Sequence, residues 1–219
     1  MRIVYRFLFL SVLLIFVTNC ARTGRPEGGP KDEDAPLFIT AKPPYESVNF
    51  NKKEIKIDFN EYITLKNLNT ELVVSPPMKN PPLISPQGAP SEFIKIEIID
   101  TLKLNTTYTF NFGNAVEDHN EGNKLENFKY IFSTGTYIDS LTTSGNIKDA
   151  KLFETPKNIN VLLYRIDSSF NDSIVYKKKP DYITNTLDTI NFKFTNLRKG
   201  RYLMLALQES LNDYIFNPK

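Results

Sequence analysis

The sequence has one cysteine, Cys20, one histidine, His119, and no tryptophan. A single cysteine excludes an internal disulfide and a Cys-X-X-Cys redox motif. Together with the single histidine it leaves too few sulfur and nitrogen ligands for a usual zinc site. Glycine-rich phosphate loops and dinucleotide fingerprints are missing. So is a nucleophile-elbow sequence around any serine. No cofactor is implied. An excess of one charge is also lacking. There are 27 Lys+Arg against 25 Asp+Glu, and the small positive balance comes from Arg2 and Arg6 within residues 1–19. The remainder is formally neutral, so no basic excess points to nucleic acid. After residue 20 no apolar run approaches the roughly 20 residues needed to span a bilayer.

The N-terminus does carry a clear pattern. Arg2 and Arg6 precede an apolar run from Phe7 to Val17, and Thr18, Asn19 and Cys20 follow. A basic start, a short apolar stretch and a polar exit describe a secretory signal rather than a membrane span. Val17 and Thr18 before Cys20 resemble the lipobox of bacterial lipoproteins, although Asn19 stands where that family prefers a small residue. The resemblance implies lipidation of Cys20 as the first mature residue, with residues 1–19 as signal peptide. It also implies attachment to a membrane, most simply as an outer-membrane lipoprotein on the periplasmic face or the cell surface. Several acyl chains on one residue hold a protein on a bilayer almost permanently.

Residues 20–36 are rich in Gly, Pro and charge and have little to bury, which predicts a flexible tether. The acids Asp32, Glu33 and Asp34 resemble a surface-export signal but stand further from the cysteine than such signals do. From Leu37 onward the pattern is strand-like. Ile55, Ile57 and Phe59 alternate with Lys56 and Asp58, and Ile94, Ile96 and Ile98 with Lys95 and Glu97. Tyr108, Phe110 and Phe112 alternate with Thr109 and Asn111, and Phe128, Tyr130 and Phe132 with Lys129. Period two with one apolar face marks half-buried strands. After a seam near 136–140 the pattern resumes at Ile159–Leu163, at Ile190, Phe192 and Phe194, and at Arg201–Leu207, which is apolar on both faces. The chain therefore reads as all-β, with two tandem β-sandwich domains over 37–137 and 138–219.

The first domain carries Lys42-Pro43-Pro44, the strand Glu54–Ile63, Leu102–Phe112, Asp118, Gly122-Asn123-Lys124-Leu125 and Phe132-Ser133-Thr134-Gly135. This resembles the bacterial Ig-like domain also found in S-layer proteins, and lipoproteins that carry it after a Gly-Gly-Pro-Lys-Asp tether. Such a resemblance implies a binding, adhesive or structural module without catalysis. In the second domain, Ser144–Asp149, the Asn160–Tyr164 strand and Phe194–Tyr202 are similar to the transthyretin-like, carboxypeptidase-regulatory type of sandwich. After Leu207 only Tyr214-Ile215-Phe216 remain to supply a closing strand. The expectation is an incomplete second sandwich, less stable than the first, with a frayed edge beside residues 208–219.

Candidate sites are few. His119 reads as a solvated loop residue. Around it, Glu117, Asp118, Asn120, Glu121 and Asn123 offer oxygen ligands near Gly122, but their order does not match an EF-hand, and a hydrated hairpin explains them as well. Tyr45, Tyr62 and Tyr137 are candidate sugar contacts, or simply rim residues. Asp followed by Ser or Thr and then Ala, Leu, Val, Ile, Met or Thr occurs at Thr101, Ser140, Ser173 and Thr189. This resembles an O-glycosylation motif of exported proteins, and turn chemistry is the competing reading. The leading expectation is a non-catalytic envelope lipoprotein acting as a structural or interaction module, with an envelope protein or a glycan as partner. The alternative is a glycan-binding accessory of a polysaccharide-uptake system.

Overall fold

Alternation becomes strand wherever the sequence shows it. The structure is a computed structural model that describes residues 29–149, 151, 157–208 and 213–217. The signal segment, Cys20 and most of the tether lie outside the described residues. The first sandwich contains β1 (Phe38–Lys42), β2 (Glu54–Leu65), β3 (Val73–Ser75), β4 (Leu83–Ser85), β5 (Ser91–Glu97), β6 (Thr107–Asn111), β7 (Val116–Asp118) and β8 (Lys129–Ser133). A single helical turn, α1 (Leu68–Glu71), joins β2 to β3. One sheet runs β1-β2-β5-β4, with β7 on the far end of β2, and the other runs β3-β6-β8. All pairings are antiparallel. Ile55, Ile57, Ile63, Ile94 and Ile96 point inward from the first sheet and meet Tyr108, Phe110, Tyr130 and Phe132 from the second. Each such side chain contributes about 1.5–3 kcal/mol by leaving water. Phe132 stacks on Phe50 and Tyr108 with ring centroids 3.9 and 5.4 Å apart.

The second sandwich contains β9 (Leu141–Asn146), β10 (Asn160–Arg165), β11 (Tyr182–Asn185), β12 (Asn191–Leu197) and β13 (Tyr202–Leu207), with a 3-10 helix at Asp172–Tyr176. Its sheets are β11-β10-β13 and β9-β12. Val161 and Leu163 meet Phe192, Phe194 and Leu197 between them. The other face of β10 is buried too. Leu162 and Tyr164 pack with Val175 of the 3-10 helix, with Ile183, and with Tyr214 and Phe216 of the C-terminal segment. Residues 213–217 form no strand, and Phe216 N–H donates to the carbonyl of Val175 at 2.9 Å. Among the described residues, β13 pairs only with β10 and is therefore an edge. Its two apolar faces are used nonetheless: Leu203 and Leu205 pack on the Leu162–Tyr164 side, and Tyr202 on the Val161–Leu163 side.

One difference from the sequence reading organises the molecule. Thr109 alternates with the core aromatics of β6 and reads as solvent-facing, yet it and Thr107 on the same face are 7% and 2% exposed. The second sandwich covers them. Val73, on the same outer face, belongs to the cluster of Leu162, Tyr164 and Ile183. Ile183 N–H donates to Ser75 Oγ at 3.1 Å, and Lys179 Nζ donates to the Met78 carbonyl at 2.8 Å. The seam at 136–140 is anchored as well. Asp139 is buried, its Oδ2 accepts from Thr107 Oγ1 at 3.0 Å, and its N–H donates back to the same hydroxyl at 2.9 Å. Asn196 Nδ2 donates to the Asp139 carbonyl, and Arg198 pairs with the Asp139 carboxylate and donates to the Asn105 carbonyl. Residues from Glu33 onward form one compact unit.

Candidate functional site

The register of the β3-β6-β8 sheet predicts what lies on its outer face. Val73 pairs with Asn111, Ser75 with Thr109, Thr109 with Ile131, and Asn111 with Lys129. Residues paired across strands share a face. The Val73 and Thr107 parts of that face are covered, whereas the end bearing Asn111 and Lys129 opens into a cleft of about 1000 Å³. Opposite lie Asn191 paired with Asn146 and Lys193 paired with Ser144, on the outer face of β9-β12. Thr184 and Asn185 of β11, with the turn after them, complete the lining. The volume is that of a ligand-binding cleft.

Local chemistry holds this lining in place. Gly113 sits at φ +56, and a Cβ there would lie 2.5 Å from the Glu71 carboxylate and 3.1 Å from the Glu71 carbonyl, so glycine eases the close approach of the β6–β7 turn to α1. Glu71 Oε2 then accepts from the Asn114 N–H at 2.9 Å and sets Asn114 at the cleft. Across the cleft, Asn185 Oδ1 accepts from the Leu187 N–H, and Thr184 Oγ1 donates to the Lys193 carbonyl at 3.1 Å. No hydrogen bond among the described residues uses the side-chain amides of Asn114, Asn127, Asn146 or Asn191, all of which face the cleft. Each free amide offers two donors and a carbonyl acceptor.

Two cations share the narrow end, where Lys129 and Lys193 also line a smaller recess with Ser75, Thr109 and Thr184. Partial burial pushes the Lys129 ammonium below its ordinary pKa, and the like charge of Lys193 adds to that. The acids, Glu126 and Asp188, are exposed at the cleft, and Asp188 reaches Lys157 at 4.0 Å. The arrangement has hydrogen-bonding amides and hydroxyls around a basic floor. Among the described residues no group of three or more His, Cys, Asp and Glu is placed to hold a metal ion.

The comparisons with known proteins bear on the first sandwich. Residues 32–134 match the bacterial Ig-like domain. Neither curated proteins nor solved structures gave a match. Residues 32–134 thus form an Ig-like β-sandwich, and that domain type suggests a structural or interaction module.

Within the Ig-like domain, Asp118 has a clear role. It is 2% exposed, and its carboxylate accepts from the N–H groups of Glu121, Gly122 and Asn123 at 2.6, 3.1 and 2.7 Å. Burial alone would raise its pKa, but these amides and that of Asn120 bond the ionised form and bring it below the ordinary value. Of the oxygens that suggested a cation ligand, those of Asp118 are occupied by the loop's own backbone, which accounts for the Asp-X-X-X-Gly-Asn spacing. His119 is exposed, and its N–H donates to the Tyr62 carbonyl at 2.9 Å. Tyr45 is 40% exposed beside Phe38 and Tyr130, while Tyr62 and Tyr137 are 55% and 57% exposed. None of the three lines the cleft.

Thr101, Ser140 and Thr189 are exposed, and Ser173 is half-buried in the 3-10 helix. Two of the preceding acids have local duties: Asp100 accepts from Asn80 N–H and Nδ2 at 3.1 and 2.8 Å, and Asp139 is the buried seam anchor. Thr189 lies at the cleft, and its hydroxyl donates to the Thr186 carbonyl at 3.0 Å. The cleft lysines were not found from sequence because Lys129 and Lys193 read as the polar sides of two unrelated strands. The available signal was the density of Asn on those same polar sides.

Proposed function

We propose that the chain is a membrane-anchored envelope lipoprotein whose coupled sandwiches act as a rigid interaction module. The Ig-like match over 32–134 is the observation that carries the module reading. The lipobox-like segment ending at Cys20 supports the anchor, with residues 20–36 as tether to an outer membrane. The second sandwich is read as a transthyretin-like type on its Asn160–Tyr164 and Phe194–Tyr202 segments. Intact mass of protein from its native host, with cell fractionation, tests the anchor. The expected result is a mature chain beginning at Cys20 and carrying acyl chains, with Cys20→Ser released from the membrane fraction. An unacylated wild type, or a Cys20→Ser variant that still fractionates with membranes, contradicts the reading. The same spectrum reads O-glycans at Thr101, Ser140, Ser173 and Thr189 as added mass.

A second reading, a glycan-binding accessory, is favoured by one specific observation. The cleft presents four side-chain amides without intramolecular partners among the described residues, which suits the paired donors and acceptors of sugar hydroxyls. On this reading the binding surface lies between the sandwiches rather than at Tyr45, Tyr62 or Tyr137.

A further inference from the structure

Lys129 and Lys193 stand together at the narrow end of the cleft, brought there by two sheets from different sandwiches. Neither has an ion-pair partner among the described residues. Like charges held this close disfavour each other, and partial burial of Lys129 removes some of the water that would screen them. The cleft's acids do not relieve this: Glu126 is exposed, and Asp188 is exposed and faces Lys157. An incoming anion would be stabilised by both lysines, while a neutral ligand would leave the repulsion in place. The amides of Asn114, half-buried, and of Asn127, Asn146 and Asn191, exposed, suit something more than a bare anion, since they offer acceptors as well as donors. A single-stranded nucleic acid would want stacking faces and a broad basic track, and the chain beyond residue 19 is neutral.

We propose that this cleft binds an acidic glycan, with Lys129 and Lys193 holding its anionic group and the asparagine amides bonding its hydroxyls. The proposal rests on the glycan-binding reading and names its ligand class. The anionic group is a uronate carboxylate or a sulfate ester, and both are served by the same two ammonium groups.

Titration calorimetry on the detergent-solubilised full chain, with polygalacturonate, dextran sulfate and neutral dextran as probes, tests it. At least one acidic polymer should bind about tenfold more tightly than dextran, the effect of one charge-assisted hydrogen bond. Which polymer binds identifies carboxylate or sulfate. K193Q and K129Q should each lose most of that advantage, and K129R should keep it. K52Q, on an exposed lysine outside the cleft, should bind as the wild type. Because Lys193 is exposed, K193Q tests the proposal even if K129Q fails to fold. Acidic binding unchanged in K193Q overturns the proposal. Dextran bound as tightly as the acidic polymers, and lost in Asn127→Ala, overturns the acidic ligand while keeping the glycan reading. Binding of no polymer at all overturns both.

Discussion

Asp118 is the acid around which the Glu117–Asn123 loop folds. Three backbone N–H groups converge on its carboxylate in a site almost closed to water. Removing the carboxylate strands those donors, so Asp118→Ala should destabilise the protein by about 2–4 kcal/mol, and Asp118→Asn, which keeps one acceptor oxygen, by less. Because the folded-state pKa is depressed, this stabilisation is fully present above the ordinary value of 3.8 and is lost as the pH falls through the lower folded value. Urea unfolding at neutral pH and below about pH 4 checks both statements. A wild type and an Asp118→Ala variant of equal stability at neutral pH would contradict them. Tyr130 shows the other side of burial: it donates its hydroxyl to the Pro43 carbonyl at 2.8 Å, and its pKa is pushed up to about 12.

At the scale of elements, period-two alternation was a sound guide wherever one face met a core and the other met water. β2 and β5 show this, with their isoleucines inward and Lys56 and Lys95 outward. It was a poor guide for β6, whose threonine face is covered by the second sandwich, a contact that no local pattern announces. The candidate cleft was illegible for the same reason, because its residues come from β6, β8, β9, β11 and β12 and meet only through tertiary packing. The two-faced apolar pattern of β13 was legible, but its edge position was not, since pairing order is a long-range property. The register makes a testable statement here. Ile166 N–H donates to the Arg201 carbonyl, and β10 pairs Tyr164 with Leu203 and Leu162 with Leu205. In an antiparallel ladder hydrogen-bonded pairs alternate, so Leu203 and Leu205 bond β10 and Tyr202, Met204 and Ala206 point their backbone groups outward. Hydrogen exchange should therefore be faster at Met204 and Ala206 than at Leu203 and Leu205. Equal strong protection of all four would mean that another strand closes this edge.

At the scale of the whole molecule, the all-β class and its sandwich architecture were legible from strand spacing and turn residues. The coupling of the sandwiches was not. A seam at 136–140 reads as a junction between independent domains, yet Asp139 is buried against Thr107, Val73 lies in a cluster of the second sandwich, and Ile183 bonds Ser75. A shared apolar cluster and buried polar contacts tie the stability of each half to the other. This coupling fixes the two walls of the cleft and is what the proposed role as a rigid module requires. Calorimetric unfolding of the full chain is the most direct measurement of it. The account predicts one cooperative transition for both sandwiches, with calorimetric and van't Hoff enthalpies in agreement, whereas two separate transitions, insensitive to Val73→Ala and Asp139→Ala, would contradict it.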